Sequence, residues 1–184
     1  MSNTKTKKGY RYAFYIATAS VIAGLYTIAT LLIQPLAFGQ VQFRISEALT
    51  ILPVFTPAAI PGLFIGCAIS NAVGITTGAN PLGALDIFIG SGATLIAAFL
   101  SYFLRNVKFR IFPHGIKIPF LAMLPPVIIN ALVIGAELAF VNNAPLWINI
   151  LWIALGQFAP CVIFGTFLYV GLVKTKADRI ITAL

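Results

Sequence analysis

Four acids carry most of the chemistry open to this chain of 184 residues: Glu47, Asp86, Glu137 and Asp178. Asp178 stands in a basic tail and reads as solvated. The other three fall inside or at the edge of long apolar runs. An ionisable group there is costly, so a functional reading is the default. Amides accompany them. Asn130 and Glu137 are seven residues apart, two helical turns, and so share a face. This is binding chemistry. Gly-Lys never occurs in that order, so there is no P-loop and no ATPase site of the usual kind. There is one histidine, and H-E-x-x-H, C-x-x-C and G-x-S-x-G are all missing. Cys67 and Cys161 sit alone in apolar runs and read as small core residues. No catalytic residue, metal or cofactor is expected.

The elements that must hold these acids are set by composition. Hydrophobic residues make up 60% and charged residues 9% of the chain, against roughly 45–50% and 25% in soluble domains. That excess must face lipid, which excludes a secreted disulfide scaffold, a disordered chain and a cytosolic enzyme. The net charge of +8 does not point to nucleic acid, because the basic residues cluster at the ends and in one loop. The first apolar run, Ala13–Ile33, has 21 residues. A signal core has about 7–15 and a membrane span about 20. It is therefore expected to be a retained first span.

Further runs cover Leu82–Leu104, Ile118–Val141 and Trp147–Val173. Ile45–Ile75 is harder: as one helix its 31 residues would be about 46 Å long, too long for one crossing and too short for two. Basic clusters at Lys5–Arg11, Arg105–Lys117 and Lys174–Arg179 place both termini and one loop in the cytoplasm. Between the N-terminus and Arg105 the number of crossings is then even. Pro53, Pro57 and Pro61 break the long run. The expectation is a single all-α membrane domain of six transmembrane helices, near 13–33, 45–56, 58–75, 82–104, 118–141 and 147–173. A re-entrant hairpin within 45–75 keeps the same orientation. Tyr10, Tyr12, Tyr15, Tyr102 and Tyr169 take inner interface positions and Trp147 the outer one. His114 reads as solvated in the cytoplasmic loop.

With this topology Glu47, Asp86, Glu137 and Asn71 lie toward the outer side, and Asn130 and Gln157 deeper. The inner halves are dominated by Ala, Gly, Leu, Ile and Phe. That asymmetry suggests a polar pocket open outward and closed below, since a pore needs polar groups at every depth. Glu47 has two readings, a ligand contact or an ion pair with Arg44 at i−3. Asp86 binds ligand or anchors the start of its helix. Asn80, Asn142 and Asn143 are expected to meet headgroups and water. Trp152 is the candidate for stacking on a ligand. On the first span, Ala13, Ala17 and Val21, and separately Ala19 and Ala23, repeat at four-residue spacing and invite close helix approach.

The stretch Phe38-Gly39-Gln40-Val41-Gln42-Phe43-Arg44-Ile45-Ser46-Glu47-Ala48-Leu49-Thr50, continued through Phe55-Thr56-Pro57-Ala58-Ala59-Ile60-Pro61-Gly62, resembles the QueT-type membrane proteins. So do the chain length and Pro125-Pro126 through Asn130. These proteins are the substrate-binding S-components of energy-coupling factor (ECF) transporters assigned to queuosine precursors. The resemblance implies an S-component-like bundle of six helices with ligand beneath the loop after the first. It implies as partners a transmembrane coupling subunit and two cytosolic ATPases, with Ala13, Ala17 and Val21 facing the coupling subunit. Its ligand would be 7-aminomethyl- or 7-cyano-7-deazaguanine. A carboxylate accepts from N1–H and the 2-amino group together. Glu137, then Glu47, then Asp86 are the candidates. Asn130 or Gln157 would donate to O6, and Gln40, Gln42 and Arg44 would close over the ligand. Two other readings remain open. One is a self-sufficient proton-coupled transporter relaying through the three acids, although such transporters usually contain duplicated halves. The other is an assembly protein that binds no small molecule. A further alternative is an S-component for a different vitamin on the same scaffold.

Overall fold

The computed structural model describes residues 2–110 and 115–182. His114 lies outside them. Among the described residues the long elements are α1 (Ser2–Leu31), α3 (Ala59–Thr76), α4 (Ala84–Phe103) and α5 (Phe120–Asn142). A fifth stretch runs without a break from α6 (Leu146–Phe158) through a π-helical turn (Ala159–Phe164) into α7 (Gly165–Lys174). Other elements among the described residues are the short helices α2 (Gln34–Ala37) and α8 (Ala177–Thr182), 3-10 helices at Ile45–Val54 and Leu104–Asn106, and an antiparallel pair of two-residue strands, β1 (Phe109–Arg110) and β2 (Lys117–Ile118).

Five helices are long and apolar enough to cross a membrane: Gly9–Leu31, Ala59–Thr76, Ala84–Asn106, Phe120–Asn142 and Leu146–Lys174. They match five of the six expected spans to within a few residues. The expected helix at 45–56 is different. It is a 3-10 helix of ten residues, Ile45–Val54, too short to cross as an independent α-helical span. Seven of its residues are buried, so protein rather than lipid surrounds it.

Helix packing explains why that segment exists. Gly62 lies on Ala19 and Ile22, and Gly66 on Ala23 and Tyr26. Residue numbers rise together along this contact, so α1 and α3 run parallel. The chain between them must return the full height of a helix. It does so beside α1: Ser46 meets Thr30, Glu47 meets Tyr26, and Leu52 lines one groove with Val21 and Ile22. A 3-10 helix advances about 2.0 Å per residue against 1.5 Å in an α-helix, which suits a short return. Ala19 and Ala23 thus serve packing within the chain, whereas Ala13, Ala17 and Val21 lie on an exposed face.

At one end of the bundle the core is apolar. Tyr169 belongs to it, buried and stacked on Phe55 at 5.1 Å, rather than to an interface belt as expected. Tyr102 carries the guanidinium of Arg105 at 3.8 Å. The opposite end, built from the α1–3-10, α3–α4 and α5–α6 connections, gathers the polar side chains.

Gly66 and Gly24 offer a matched test. A Cβ at Gly66 would stand 2.8 Å from the Ala23 carbonyl oxygen, and at Gly24 it meets nothing within 4 Å. Gly66→Ala is expected to lower the unfolding midpoint in detergent, by the scale of overpacking, about 1–3 kcal/mol. Gly24→Ala should leave it equal or slightly higher. Equal midpoints for both variants would contradict the tight α1–α3 contact.

Candidate ligand-binding site

Arg44 organises the polar end. The chain leaves α1, makes the single turn of α2 and folds back through residues 38–44. Arg44 ends this loop and is only 3% exposed. Its Nε donates to the Ala37 carbonyl at 3.0 Å, and its guanidinium stands 5.0 Å from the Phe38 ring centroid. Nη2 lies 3.5 Å from Asp86 Oδ2, and Nη1 lies 3.8 Å from Cys67 Sγ. Phe38 is fixed in turn by Gly74, where any Cβ would stand 2.6 Å from the ring. Burial by itself lowers the pKa of Arg44, but the neighbouring Asp86, followed by Cys67, Tyr26 and Glu47, raises it by more. The group stays a cation.

Asp86 sits in the first turn of α4. Asn80 Nδ2 donates to its Oδ2 at 2.8 Å, and Asn71 Nδ2 to its backbone carbonyl at 2.8 Å. Gly90, one turn on, leaves room for the carboxylate: a Cβ there would overlap Asp86 Oδ1. Glu47 occupies the first turn of the 3-10 helix and accepts from the Tyr26 hydroxyl at 2.5 Å.

A second set closes the other side. Asn130 Nδ2 donates to Gln157 Oε1 at 3.3 Å, and Gln157 Nε2 donates to the Gln42 carbonyl at 3.0 Å. Gln42 holds a left-handed backbone, φ 47°, at the point where the loop presses on α6. Gly156 permits that approach, because a Cβ would overlap the Val41 carbonyl. Glu137, two turns from Asn130 on α5, is 6% exposed and within electrostatic reach of Asp86 and Arg44.

Most of these side chains are left with hydrogen-bonding capacity. Glu47 Oε2, Asn71 Oδ1, Asp86 Oδ1 and both oxygens of Glu137 are buried acceptors without a hydrogen bond in the protein. So are two nitrogen donors, Gln42 Nε2 and Arg44 Nη2. Leaving such a group unmatched costs about 1–3 kcal/mol, more if charged. Seven buried atoms from four elements and one loop thus lack a hydrogen bond within the protein, although one of them, Arg44 Nη2, stands in the ion pair with Asp86.

Comparison with known proteins agrees in kind. The family model described as QueT transporter matches residues 16–174. The chain belongs to the QueT transporter family. With its five apolar helices it is a multi-pass protein of the cell membrane. A relative in Lactococcus lactis subsp. cremoris (strain MG1363), the "Queuosine precursor transporter QueT", is 31% identical over 157 residues, 83% of this chain and 88% of that one. No solved structure matches.

In this QueT family member the residues expected at the site divide. Glu47, Asp86, Glu137, Asn71, Asn130, Gln157, Gln42 and Arg44 are all buried at one end of the bundle. Gln40 is exposed, and Trp152 is 44% exposed on the outer face of α6, so neither belongs to the cluster. Arg44 does not pair with Glu47 but with Asp86, 42 residues on. Asn80, expected among headgroups, is buried on Asp86, whereas Asn142 and Asn143 are exposed. Cys67 is a core residue as expected, and Arg44, Asn71 and Thr94 also approach its sulfur. Tyr26 was missed altogether. A tyrosine in mid-span needs a partner for its hydroxyl, which was the available signal.

Removing one member of a buried ion pair strands the other. Asp86→Ala is expected to destabilise the protein by about 3–5 kcal/mol, and Arg44→Met with Asp86→Leu to recover most of that. Thermal unfolding in detergent reads both. A double variant no more stable than Asp86→Ala would show that charge is not what couples the two positions.

Proposed function

We propose that this chain captures a 7-deazaguanine precursor of queuosine and delivers it inward as the substrate-binding subunit of an ECF-type ATP-driven importer. The observation that carries this reading is the set of unmatched buried acceptors and donors, in a chain whose relative is named for queuosine-precursor transport. A deazaguanine edge offers N1–H and the 2-amino group side by side, and a carboxylate can accept both. Glu47 has a free oxygen for that edge, Glu137 keeps both of its oxygens free for a further donor on the ligand, and Asp86 serves chiefly to hold Arg44. The side-chain amide of Gln42 has a free donor for O6, while Asn130 and Gln157 orient the loop above. Loop 38–44 covers the ligand.

The same reading has six passages through the membrane with both termini cytoplasmic. Its support is the clustering of basic residues and the parallel run of α1 and α3, which makes the 3-10 helix a short buried passage of its own. It also assigns the exposed side of α1 to a transmembrane coupling subunit, which works with two cytosolic ATPases. Ala17 and Val21 line an apolar groove of about 390 Å³ there with Phe14, Leu25, Leu49 and Leu168, and Ala13 lies one turn before them. The alternative, a self-sufficient proton-coupled transporter, draws on Glu137, a buried acid with neither oxygen matched. Uptake that survives ATP depletion but stops with a protonophore would favour it.

Calorimetric titration of the purified protein with 7-aminomethyl- and 7-cyano-7-deazaguanine, with guanine and riboflavin as controls, tests the ligand. Saturable binding of a deazaguanine, with guanine much weaker, is expected. No binding of either by folded protein would overturn the assignment. Ala17→Trp should leave that titration unchanged and abolish uptake in cells. Retained uptake would remove the α1 groove as the coupling face.

A further inference from the structure

The charges in the cluster do not balance. Among the described residues Arg44 is its one cation, and Asp86, Glu47 and Glu137 are its acids. Asp86 and Arg44 compensate one another, and Asn80 takes up the same carboxylate oxygen. Glu47 has a neutral partner, the Tyr26 hydroxyl, on one oxygen only. Glu137 has no hydrogen-bond partner on either oxygen, although it is 6% exposed. One acid is thus matched by a cation and two are not. A neutral ligand edge satisfies the hydrogen bonding of one carboxylate but supplies no charge. Where water is excluded, an uncompensated carboxylate is costly: it takes up a proton or it meets a cation, and a ligand ammonium supplies the cation.

The unmatched atoms point the same way. Acceptor oxygens outnumber donor nitrogens five to two. A nitrile adds a further acceptor to such a pocket, whereas a primary ammonium adds three donors and a charge. We infer that the site selects a ligand bearing a protonated primary amine, with the Glu137 carboxylate as the residue that receives the ammonium. The inference rests on the deazaguanine reading above and narrows it, with the 7-aminomethyl compound preferred over the 7-cyano compound. Glu47, on the 3-10 helix with one oxygen on Tyr26 of α1, is left for the neutral edge of the base. Glu137 is then a specificity residue, and the ring itself is held elsewhere.

The test compares the two ligands on the full-length protein in detergent. The native protein should bind the amine tighter than the nitrile by roughly tenfold to a hundredfold, the scale of a charge-assisted hydrogen bond. Glu137→Gln keeps the size of the side chain and removes the charge. It should lose that advantage while binding the nitrile within a few-fold of the native protein. That retained binding also reports that the variant is folded. The ratio for the native protein needs no variant, so a poorly folding Glu137→Gln does not protect the inference. Equal affinities, or tighter nitrile binding, in the native protein would overturn it and leave the deazaguanine assignment standing. An amine preference that persists undiminished in a folded Glu137→Gln would overturn the role of Glu137. Binding of neither compound would remove the deazaguanine reading and this inference with it.

Discussion

A guanidinium buried at the end of a membrane bundle has to be neutralised, and much of the polar end follows from that need. Arg44 is brought inside by the turn after α1, so the loop must fold back over it and an acid must face it. Asp86 meets it from the first turn of α4, which requires Gly90 to leave space and Asn80 to hold the carboxylate from the α3–α4 connection. Phe38 lies against the guanidinium and presses on Gly74. One buried charge therefore ties the loop, α3 and α4 together. The pair itself adds little net stability when the cost of desolvating both ions is counted. What it supplies is a fixed register between loop and helices.

The second constraint is close helix approach. Membrane helices gain no hydrophobic force by leaving lipid for one another, so contact surface has to come from small residues. Gly62 and Gly66 receive Ala19 and Ala23, which sets α1 parallel to α3 and obliges the chain to double back. The returning 3-10 helix carries Glu47 into the bundle, where it accepts from Tyr26 of α1. A polar side chain on this segment is shielded from lipid by its neighbours, which is the setting in which a membrane protein tolerates irregular backbone. The π-helical turn after Gln157 is a further local irregularity beside the cluster. Both breaks in regular geometry adjoin the site, and the long α-helices around them remain regular.

Charge and hydrogen bonding divide the labour within the cluster. Asp86 and Arg44 are occupied with each other, and Asn130 and Gln157 with the loop backbone. Glu47 and Glu137 keep free oxygens. The residues that fix the geometry of the cluster are thus largely distinct from those that keep free oxygens.

The sequence by itself determined the membrane class, the limits of five long helices within a few residues, the QueT resemblance, and which side chains were too polar for lipid. Composition and run length suffice for these, because the cost of a polar group in hydrocarbon acts on each residue wherever its neighbours lie. It read 45–56 as a further transmembrane helix where the structure has a buried 3-10 helix at 45–54, since apolar length reports neither backbone type nor what covers a segment. Only the tertiary structure decided the partners. Periodicity relates positions on one helix, so it offered Glu47 as a partner for Arg44 at i−3, while packing delivered Asp86 instead. The link from Gln42 to Gln157 spans 115 residues, and Tyr26 reaches Glu47 across 21. Trp152 shows the converse: its chemistry suited a ligand, but the face of α6 that turned inward carries Ile153, Gly156 and Gln157. Which faces meet depends on how closely two backbones can approach, and that is a property of the pair.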